Sequence, residues 1–180
     1  MRNSFLIGDN VYLRPLELGD VSDKYIGWLN DKEVCKYNSH CFLPYNRQKA
    51  EKYIETINSS QHDIVCAIIH KEGDVHIGNI SLQNISFMHR NAEFAILLGD
   101  KKYWGSGYSK EASSLIIDHG FHELNLHRIY CGTSVDNIAM QKLAEYLGMK
   151  EEGRSLEASL KNGKYSDFIN YYLLKSNIGK

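Results

Sequence analysis

Two glycines, Gly105 and Gly107, stand one residue apart between an apolar run typical of a strand and a helical pattern. The apolar run is 94–98, and the helical pattern extends over about 109–124. Glycines at such a joint let the backbone approach a ligand closely, and the first helical turn leaves N–H groups without internal partners. The spacing therefore predicts an anion site suited to phosphate or pyrophosphate, with a plain tight turn as the alternative.

Two well-known phosphate motifs do not match this segment. A P-loop requires Gly-Lys-Ser or Gly-Lys-Thr, and neither follows the glycine pair. The dinucleotide motif Gly-x-Gly-x-x-Gly also fails, because Lys110 stands at the position of its third glycine. The glycine pair by itself therefore identifies no ligand, and its surroundings must decide.

Four segments, taken in order, resemble those of the GNAT family of acetyltransferases. Residues 102–107 read Lys-x-x-Gly-x-Gly and are similar to the family's Gln/Arg-x-x-Gly-x-Gly/Ala loop. Residues 92–95 resemble the strand before that loop, and residues 137–149, with Asn-Ile-Ala and Tyr-Leu-Gly-Met, resemble its downstream signature. Residues 161–167 are similar to the ending of the RimJ/RimL-like branch. The resemblance covers nearly the whole chain.

This resemblance implies a fold and a co-substrate. The fold is α+β in one domain over residues 1–180, with a single mixed, mostly antiparallel sheet of about seven strands and about four helices. The sheet splays between its fourth and fifth strands, and the pantetheine arm of acetyl-CoA pairs there with the fourth strand. The cofactor-binding residues implied are Ile96, Leu97, Leu98, Lys102, Gly105, Ser106, Gly107, Tyr108, Ser109 and Asn137.

Three of the residues near the loop have a second interpretation that needs no cofactor. Lys102 offers a phosphate only a point charge, without the planar fork of an arginine, and is equally typical of a solvated turn. Asn137 suits the N-cap of a following helix as well as the cofactor arm. Trp104 either covers the loop or packs beneath it.

Acetyl transfer from a thioester to an amine needs a base, because most of the amine is protonated at neutral pH. The resemblance implies Glu93, at the mouth of the fourth strand, as that base, acting directly or through a water. The alternative is a surface carboxylate beside Arg90 with no catalytic part. A backbone N–H of the splayed strand is expected to stabilise the oxyanion.

The acid that would protonate the leaving thiolate departs from the family's pattern. Ala144 stands where many members keep a Tyr, and Met140 stands where the RimJ/RimL-like branch has a Ser. Either Tyr108, Tyr171 or Tyr172 replaces them, or the thiolate leaves unaided. General acid help typically contributes about 10²–10⁴-fold, so its absence slows the reaction without forbidding it.

The periodicity of apolar residues predicts the elements that hold these groups. Strands are expected at 11–14, 64–69, 75–82, 94–98, 128–133, 149–160 and 165–174, with an Asn162-Gly163 turn joining the last two. Helices are expected over 16–29 with Asp20 as a cap, over 32–34, from Tyr45 to about Ser60, over 109–124, and from Asp136 or Asn137 onward.

The acceptor is expected beside the first two helices and the irregular loop 37–44 that follows them. The predicted lining residues are Trp28, Tyr37, His40, Asn79, Asn84 and Tyr171. Few such residues are charged, so a neutral polar amine fits better than a polycation, which would call for several carboxylates. Residues 28–31 also resemble members that act on amino groups of nucleotide-activated sugars. Alternatively, Phe42 and Leu43 merely anchor the loop and His40 is solvated.

Composition limits the other partners. With 21 basic against 22 acidic residues, neither nucleic acid nor a membrane surface is an expected partner. The four cysteines lack a Cys-x-x-Cys pair or zinc spacing, so free thiols and no metal are expected. The N-terminal apolar stretch is too short for a signal peptide, which favours a cytoplasmic protein. A homodimer formed by strand pairing is the assembly expected.

Three functions follow from these observations. The first is an acetyl-CoA-dependent N-acetyltransferase acting on a small primary amine by direct attack in a ternary complex, with a nucleotide-activated aminosugar favoured. The second is a protein N-terminal acetyltransferase of the ribosomal-protein type, which would need an open groove. The third is a non-catalytic acyl-CoA-binding module, suggested by Ala144 and Met140 at the two acid positions.

Overall fold

A computed structural model describes residues 3–161 and 163–177 and contains one sheet flanked by four α-helices. The helices are α1 (Asp23–Asn30), α2 (Arg47–Asn58), α3 (Tyr108–His122) and α4 (Ile138–Tyr146). The strands are β1 (Leu6–Ile7), β2 (Val11–Pro15), β3 (Ile64–His70), β4 (Val75–Ser86), β5 (Asn91–Leu98), β6 (Arg128–Ser134), β7 (Lys150–Lys161) and β8 (Lys164–Leu174). The predicted α+β class and four main helices are confirmed, and the short β1 adds an eighth strand.

The sheet order is β1-β2-β3-β4-β5-β6-β8-β7, and β5 and β6 are its parallel pair. Their pairing lasts for three residues, from Asn91 with Arg128 to Glu93 with Tyr130. Beyond Glu93, β5 stays paired with β4 up to Leu98, while β6 stays paired with β8 up to Ser134. The two strands therefore diverge at Glu93, where the predicted fourth and fifth strands were expected to splay.

Side-chain caps decide where three of the helices begin. Ser22, Asn46 and Asn137 each accept a hydrogen bond from a backbone N–H three residues on, and α1, α2 and α4 start directly after them. The prediction of Asp20 as the first cap is wrong, because its carboxylate forms an ion pair with Arg14 at 2.6 Å inside a short 3-10 turn.

Two other local predictions also differ from the structure. The segment 32–34 forms turns instead of a short helix. Asn162, half of the predicted turn between the last two strands, lies outside the described residues, and Gly163 has the positive φ of 74° that such a turn favours.

Each face of the sheet has its own core. The face under α3 and α4 buries Phe94, Ile116 and Phe121, and the face under α1 and α2 buries Tyr12, Tyr25 and Ile54. Full burial of such a side chain contributes roughly 1.5–3 kcal/mol. On β5, Ala92 and Phe94 belong to the first core, so alternation places Glu93 on the opposite face, toward α1 and α2.

None of the helices in the described part of the chain is long and apolar enough to span a bilayer. The longest, α3, has 15 residues, whereas a transmembrane helix needs about 20.

Candidate functional site

The gap between β5 and β6 exposes backbone groups of β5 that have no neighbouring strand. The Gly99 N–H donates to the Ile77 carbonyl at 3.0 Å, in register with the pairing of Leu98 and Gly78. In an antiparallel pair the hydrogen-bonded positions alternate, so Leu97 faces β4 whereas Ile96 and Leu98 direct their N–H and C=O groups into the gap. Of the three predicted backbone positions, Ile96 and Leu98 are therefore open to a ligand and Leu97 is not.

An indole covers one of these open groups. Trp104 Nε1 donates a hydrogen bond of 2.8 Å to the Leu98 carbonyl, while the side chain stays 40 % exposed. Trp104 therefore covers the mouth of the gap and does not pack beneath the loop.

The glycine turn has the backbone conformation that the sequence predicts. Gly105 and Gly107 have φ of 75° and 86°, in the left-handed region, and a Cβ built on either would meet nothing within 4 Å. Glycine is thus required by the chain path and not by crowding. Tyr108 and Ser109 open α3, so their N–H groups lack helical partners and point out of the helix end. The turn and the helix end together form a concave, N–H-rich anion site.

The side chains around this turn are either exposed or hydrogen-bonded within the chain. Lys102 is exposed, with Nζ 5.8 Å from the Tyr103 ring centroid, and Ser106 is exposed. The Tyr108 hydroxyl lies 3.0 Å from His70 Nε2, and His70 Nδ1 lies 3.0 Å from the Glu72 carbonyl. Because that carbonyl can only accept, Nδ1 carries a proton, and in the neutral imidazole Nε2 then accepts from the Tyr108 hydroxyl. Tyr108 thus has a partner for its proton other than a thiolate.

Asn137 caps α4, as one of its two interpretations predicts. Its Oδ1 accepts from the Met140 N–H at 3.3 Å, and its Nδ2 donates to Thr133 Oγ1 at 2.9 Å. Both ends of the amide are therefore held within the chain, and the helix that they start follows β6 in the sequence.

A groove of about 970 Å³ begins beside the glycine turn and runs between α3 and α4. Gly107, Lys110 and Tyr146 line it, with Lys110 Nζ 4.5 Å from the Tyr146 ring centroid. The sequence analysis did not identify this groove, although the one-turn spacing of Gly107, Lys110 and Ser114 along α3 is its signal.

Glu93 lies at the point where the two strands part. Its Oε2 accepts a hydrogen bond of 3.0 Å from Nδ2 of the exposed Asn84, and the carboxylate is half-buried. Asn84 therefore contacts the predicted base, although it was predicted to line the acceptor pocket.

Tyr130 is a neighbour of Glu93 that the sequence analysis missed. The two residues are paired across β5 and β6, and partners in a parallel pair point to the same face. Burial raises the pKa of Tyr130, and the negative charge of Glu93 raises it further, so the phenol keeps its proton beside the carboxylate. The strand pairing of Glu93, which sequence alone does not give, was the missing signal.

Two predicted lining residues are core residues. Trp28 is 7 % exposed, and a Cβ on Gly99 would lie 2.1 Å from its ring, so the indole packs flat on that glycine. Tyr171 is 6 % exposed and belongs to the core under α3 and α4, away from the Glu93 face. Trp28 and Tyr171 therefore lie in the two cores, and their substrate-binding roles, with Tyr171 as the acid, stay predictions.

Asn79 and Tyr172 are also engaged with other residues. Asn79 donates to the Tyr25 hydroxyl at 3.2 Å and its Oδ1 lies 2.9 Å from His76 Nε2, within a polar network under α1. Tyr172 pairs with Tyr130 across β6 and β8, so it shares the Glu93 face. Tyr172 remains near the reacting end of the gap, whereas Asn79 serves the packing of α1.

A cavity of about 540 Å³ lies where the loop after α1, the end of β6 and the β7–β8 hairpin meet. It is lined by Lys36, Tyr37, Ser134, Asp136, Lys161, Lys164 and Ser166. Tyr37 is the one predicted acceptor residue among them. His40 is half-buried nearby, where burial and then the charge of Lys161 lower its pKa. The lining of this cavity thus contains three lysines, whereas aromatics, amides and a histidine were predicted for the acceptor pocket.

Phe168 separates this cavity from Glu93. Its ring covers Gly132, where an added Cβ would lie 2.4 Å from the ring. Gly132 stands between Tyr130 and Ser134 on the same face of β6. The Phe168 ring therefore lies between the Glu93 carboxylate and the lysine-lined cavity. Alternation along β6 places Tyr130, Gly132 and Ser134 on the same side of the sheet.

Comparison with known proteins agrees with this geometry. The acetyltransferase (GNAT) domain matches residues 10–150. Spermidine N(1)-acetyltransferase of Vibrio cholerae is 32 % identical over 91 % of this chain and 92 % of its own, and that of Escherichia coli K12 is 28 % identical over 89 % and 83 %. A crystal structure of the Vibrio cholerae spermidine N-acetyltransferase in complex with CoA and spermine superposes with a TM-score of 0.85 at 26 % identity, covering 94 % of this chain and 98 % of that one.

The matched span contains the diverging strands, the glycine turn and α3, which are the parts expected to hold the co-substrate. The non-catalytic alternative is thereby set aside. This chain belongs to the GNAT family and is an acetyl-CoA-dependent N-acetyltransferase.

Proposed function

We propose that this enzyme acetylates the primary amine of a small molecule by direct attack in a ternary complex with acetyl-CoA. The observation that carries the proposal is the cavity of about 540 Å³ on the Glu93 face of the sheet. Its volume falls within the range of roughly 300–1,000 Å³ that is typical of small-molecule sites. The relatives named as spermidine N-acetyltransferases support a small amine as the acceptor class.

The open backbone of β5 and the glycine turn support a binding mode for the co-substrate. Ile96 and the Leu98 N–H would pair with the pantetheine amides, since the Leu98 carbonyl already accepts from Trp104. The N–H groups from Gly105 to Ser109 would bind the pyrophosphate. Lys102 would add a mobile positive charge at the same turn. Asn137 would act through α4, whose start it fixes beside the gap.

Glu93 is the proposed base. It sits at the apex of the gap with Asn84 as its hydrogen-bond donor, so its carboxylate is oriented toward the α1 and α2 face from which the acceptor would arrive. The amine would transfer a proton to Glu93, directly or through a water, and then attack the thioester carbonyl. Tyr130 is positioned beside Glu93 to protonate the leaving thiolate, in the role first considered for Tyr108, Tyr171 and Tyr172.

Two acceptor classes compete within this proposal. The relatives favour a polyamine, and residues 28–31 favour a nucleotide-activated aminosugar. A protein N-terminus, as expected from the RimJ/RimL-like ending at 161–167, is a third and weaker proposal, because the cavity is bounded by the loop after α1 on one side and the β7–β8 hairpin on the other.

The test is thiol release from acetyl-CoA with a panel of four amines. The panel contains spermidine, glucosamine, UDP-glucosamine and a peptide with a free N-terminus. Release with any of the three small amines, at rates well above the hydrolysis blank, supports the proposal. Release with the peptide alone would assign the enzyme to protein N-termini, and the small-molecule proposal would then be abandoned.

A further inference from the structure

Three lysines from separate parts of the chain meet at the acceptor-side cavity. Lys36 comes from the loop after α1, and Lys161 and Lys164 flank the turn of the β7–β8 hairpin. Asp136 is the one carboxylate in the lining. The walls of the cavity therefore carry three positive side chains against one negative side chain.

Within the described part of the chain, none of these three lysines forms an ion pair with a carboxylate. The basic residues that form ion pairs with carboxylates in the described ranges 3–161 and 163–177 are Arg14, Lys24, Arg47, Lys101, Arg128 and Arg154, with His76 and His122. Lys161 and Lys164 stand directly opposite each other on the two strands of the hairpin. Like charges directly opposite on neighbouring strands destabilise the sheet. Bound negative charge would relieve that repulsion.

Lys161 is held in place by neighbours that do not cancel its charge. Its Nζ donates to the Cys35 carbonyl at 3.3 Å and lies 4.5 Å from the Phe42 ring centroid. The same positive charge helps to lower the pKa of His40, after burial, so His40 is neutral at pH 7. The lysines, and not the histidine, therefore make the cavity positive.

The cavity and the proposed base lie on one path. Ser134 lines the cavity and shares its face of β6 with Tyr130, the partner of Glu93. Ser134 is four residue steps beyond Tyr130 along the strand, which is about 13 Å at about 3.3 Å per step. The Phe168 ring lies between them, against Gly132. An acceptor that spans this path has its amine at one end, a planar or sugar ring in the middle and its charge at the other end.

We infer that the acceptor is a primary amine carrying a phosphate or diphosphate group, which Lys36, Lys161 and Lys164 bind while the amine reaches Glu93. The inference rests on the proposed function, because it identifies the acceptor of that same site. Ammonium groups bind phosphate through charge-assisted hydrogen bonds. Further donors are the Tyr37 hydroxyl and one of the Ser134 and Ser166 hydroxyls, which lie 3.1 Å apart, so that one of the two donates to the other. The same three charges repel a polyamine, so spermidine is a poor acceptor for this enzyme.

The test compares UDP-glucosamine with glucosamine on the protein saturated with CoA. CoA occupies its own pyrophosphate site, so any further phosphate binding occurs elsewhere. We expect calorimetry at 50 mM salt to give an affinity for UDP-glucosamine at least about tenfold above that for glucosamine, weakening as salt rises. Converting the three cavity lysines together to Met should remove this tenfold preference and leave the affinity for CoA unchanged.

A matched control separates a local effect from net charge. Lys52→Met, Lys142→Met and Lys150→Met together remove three exposed lysines on α2, α4 and β7, and should leave the preference intact. Asp136→Asn should strengthen binding of UDP-glucosamine, because it removes the one negative charge of the cavity.

The outcomes distinguish this inference from the proposed function. Equal affinity for the two amines, or an equal loss in the cavity and control variants, would refute phosphate binding by these lysines. Thiol release with spermidine faster than with UDP-glucosamine would refute it too, while leaving small-molecule acetylation in place. A uridine diphosphate titration that matches UDP-glucosamine in affinity, and is lost in the cavity variant, would show that the phosphates carry the binding.

Discussion

Replacing Glu93 by glutamine tests the proposed base with little change to the structure. Glutamine has the same length, and its Oε1 can still accept the 3.0 Å hydrogen bond from Asn84, but the amide cannot take up a proton. Base catalysis of this kind contributes about 10²–10⁴-fold, so we expect kcat/KM at pH 7 to fall by that factor. At 1.36 kcal/mol for each tenfold, the loss corresponds to about 2.7–5.4 kcal/mol of transition-state stabilisation.

The pH dependence of Glu93→Gln follows from the protonation of the acceptor. Without a base, only the free fraction of the amine reacts, and that fraction grows about tenfold per pH unit below the pKa of an alkyl amine, near 10.4. The ratio of wild-type to variant rate should therefore shrink steadily as pH rises from 6 to 9. The assay is initial thiol release at saturating acetyl-CoA with one acceptor throughout.

Two measurements keep this result interpretable. Glu145→Gln, an exposed carboxylate on α4, removes the same charge away from the gap and should leave the rate unchanged. Calorimetry with CoA should give equal affinity for wild type and Glu93→Gln, which shows that the fold and the co-substrate site are retained. If Glu93→Gln matches the wild-type rate from pH 6 to pH 9, Glu93 is not the base.

Three further changes test the geometry around the gap. Gly107→Ala places a Cβ at φ 86° in open space, so backbone strain alone should lower the free energy of urea unfolding by about 1–2 kcal/mol and weaken CoA binding. Gly107→Asn should lose less stability, because Asn tolerates this conformation better. Equal stability of the wild type and both variants would contradict the required conformation. Gly99→Ala should lower the free energy of unfolding by about 1–3 kcal/mol, because its Cβ meets the Trp28 ring at 2.1 Å. In a chain that already carries Trp28→Leu, the loss caused by Gly99→Ala should be smaller. Additive losses would show that the two residues do not touch. CoA should change the fluorescence of Trp104, because this side chain covers the Leu98 carbonyl. Trp104→Phe should therefore abolish the fluorescence response, and Trp28→Phe should retain it. The reverse result would mean that the co-substrate binds elsewhere.

The sequence predicts the scaffold of this site well because its signals are local. The apolar run at 94–98, the glycine pair and the helical periodicity after it predict β5, the turn and α3 without reference to distant parts of the chain. The positive φ of Gly105 and Gly107 follows from the same local chemistry. Asn137 is a cap for a local reason as well, since its side chain bonds the third amide of its own helix.

The acceptor side is less predictable because it depends on which residues of distant segments face each other. Trp28 has the composition of a pocket residue, yet Gly99 supplies a flat surface on which it is buried. Tyr171 and Tyr172 are neighbours in sequence, and only the register with β6 decides that Tyr172 and not Tyr171 faces the site. The lysine cavity joins residues more than 120 positions apart, and no local pattern connects Lys36 with Lys161.

The three-residue pairing between β5 and β6 also determines how quickly particular amide protons exchange with deuterium. The N–H of Ile96 points into the gap with no strand opposite, so it should exchange far faster than that of Leu97, which is bonded to β4. A ligand lying in the gap would protect the first of these protons and leave the second unaffected. Two adjacent residues of one strand thus report, by mass spectrometry or NMR and without any substitution, whether the co-substrate is in place.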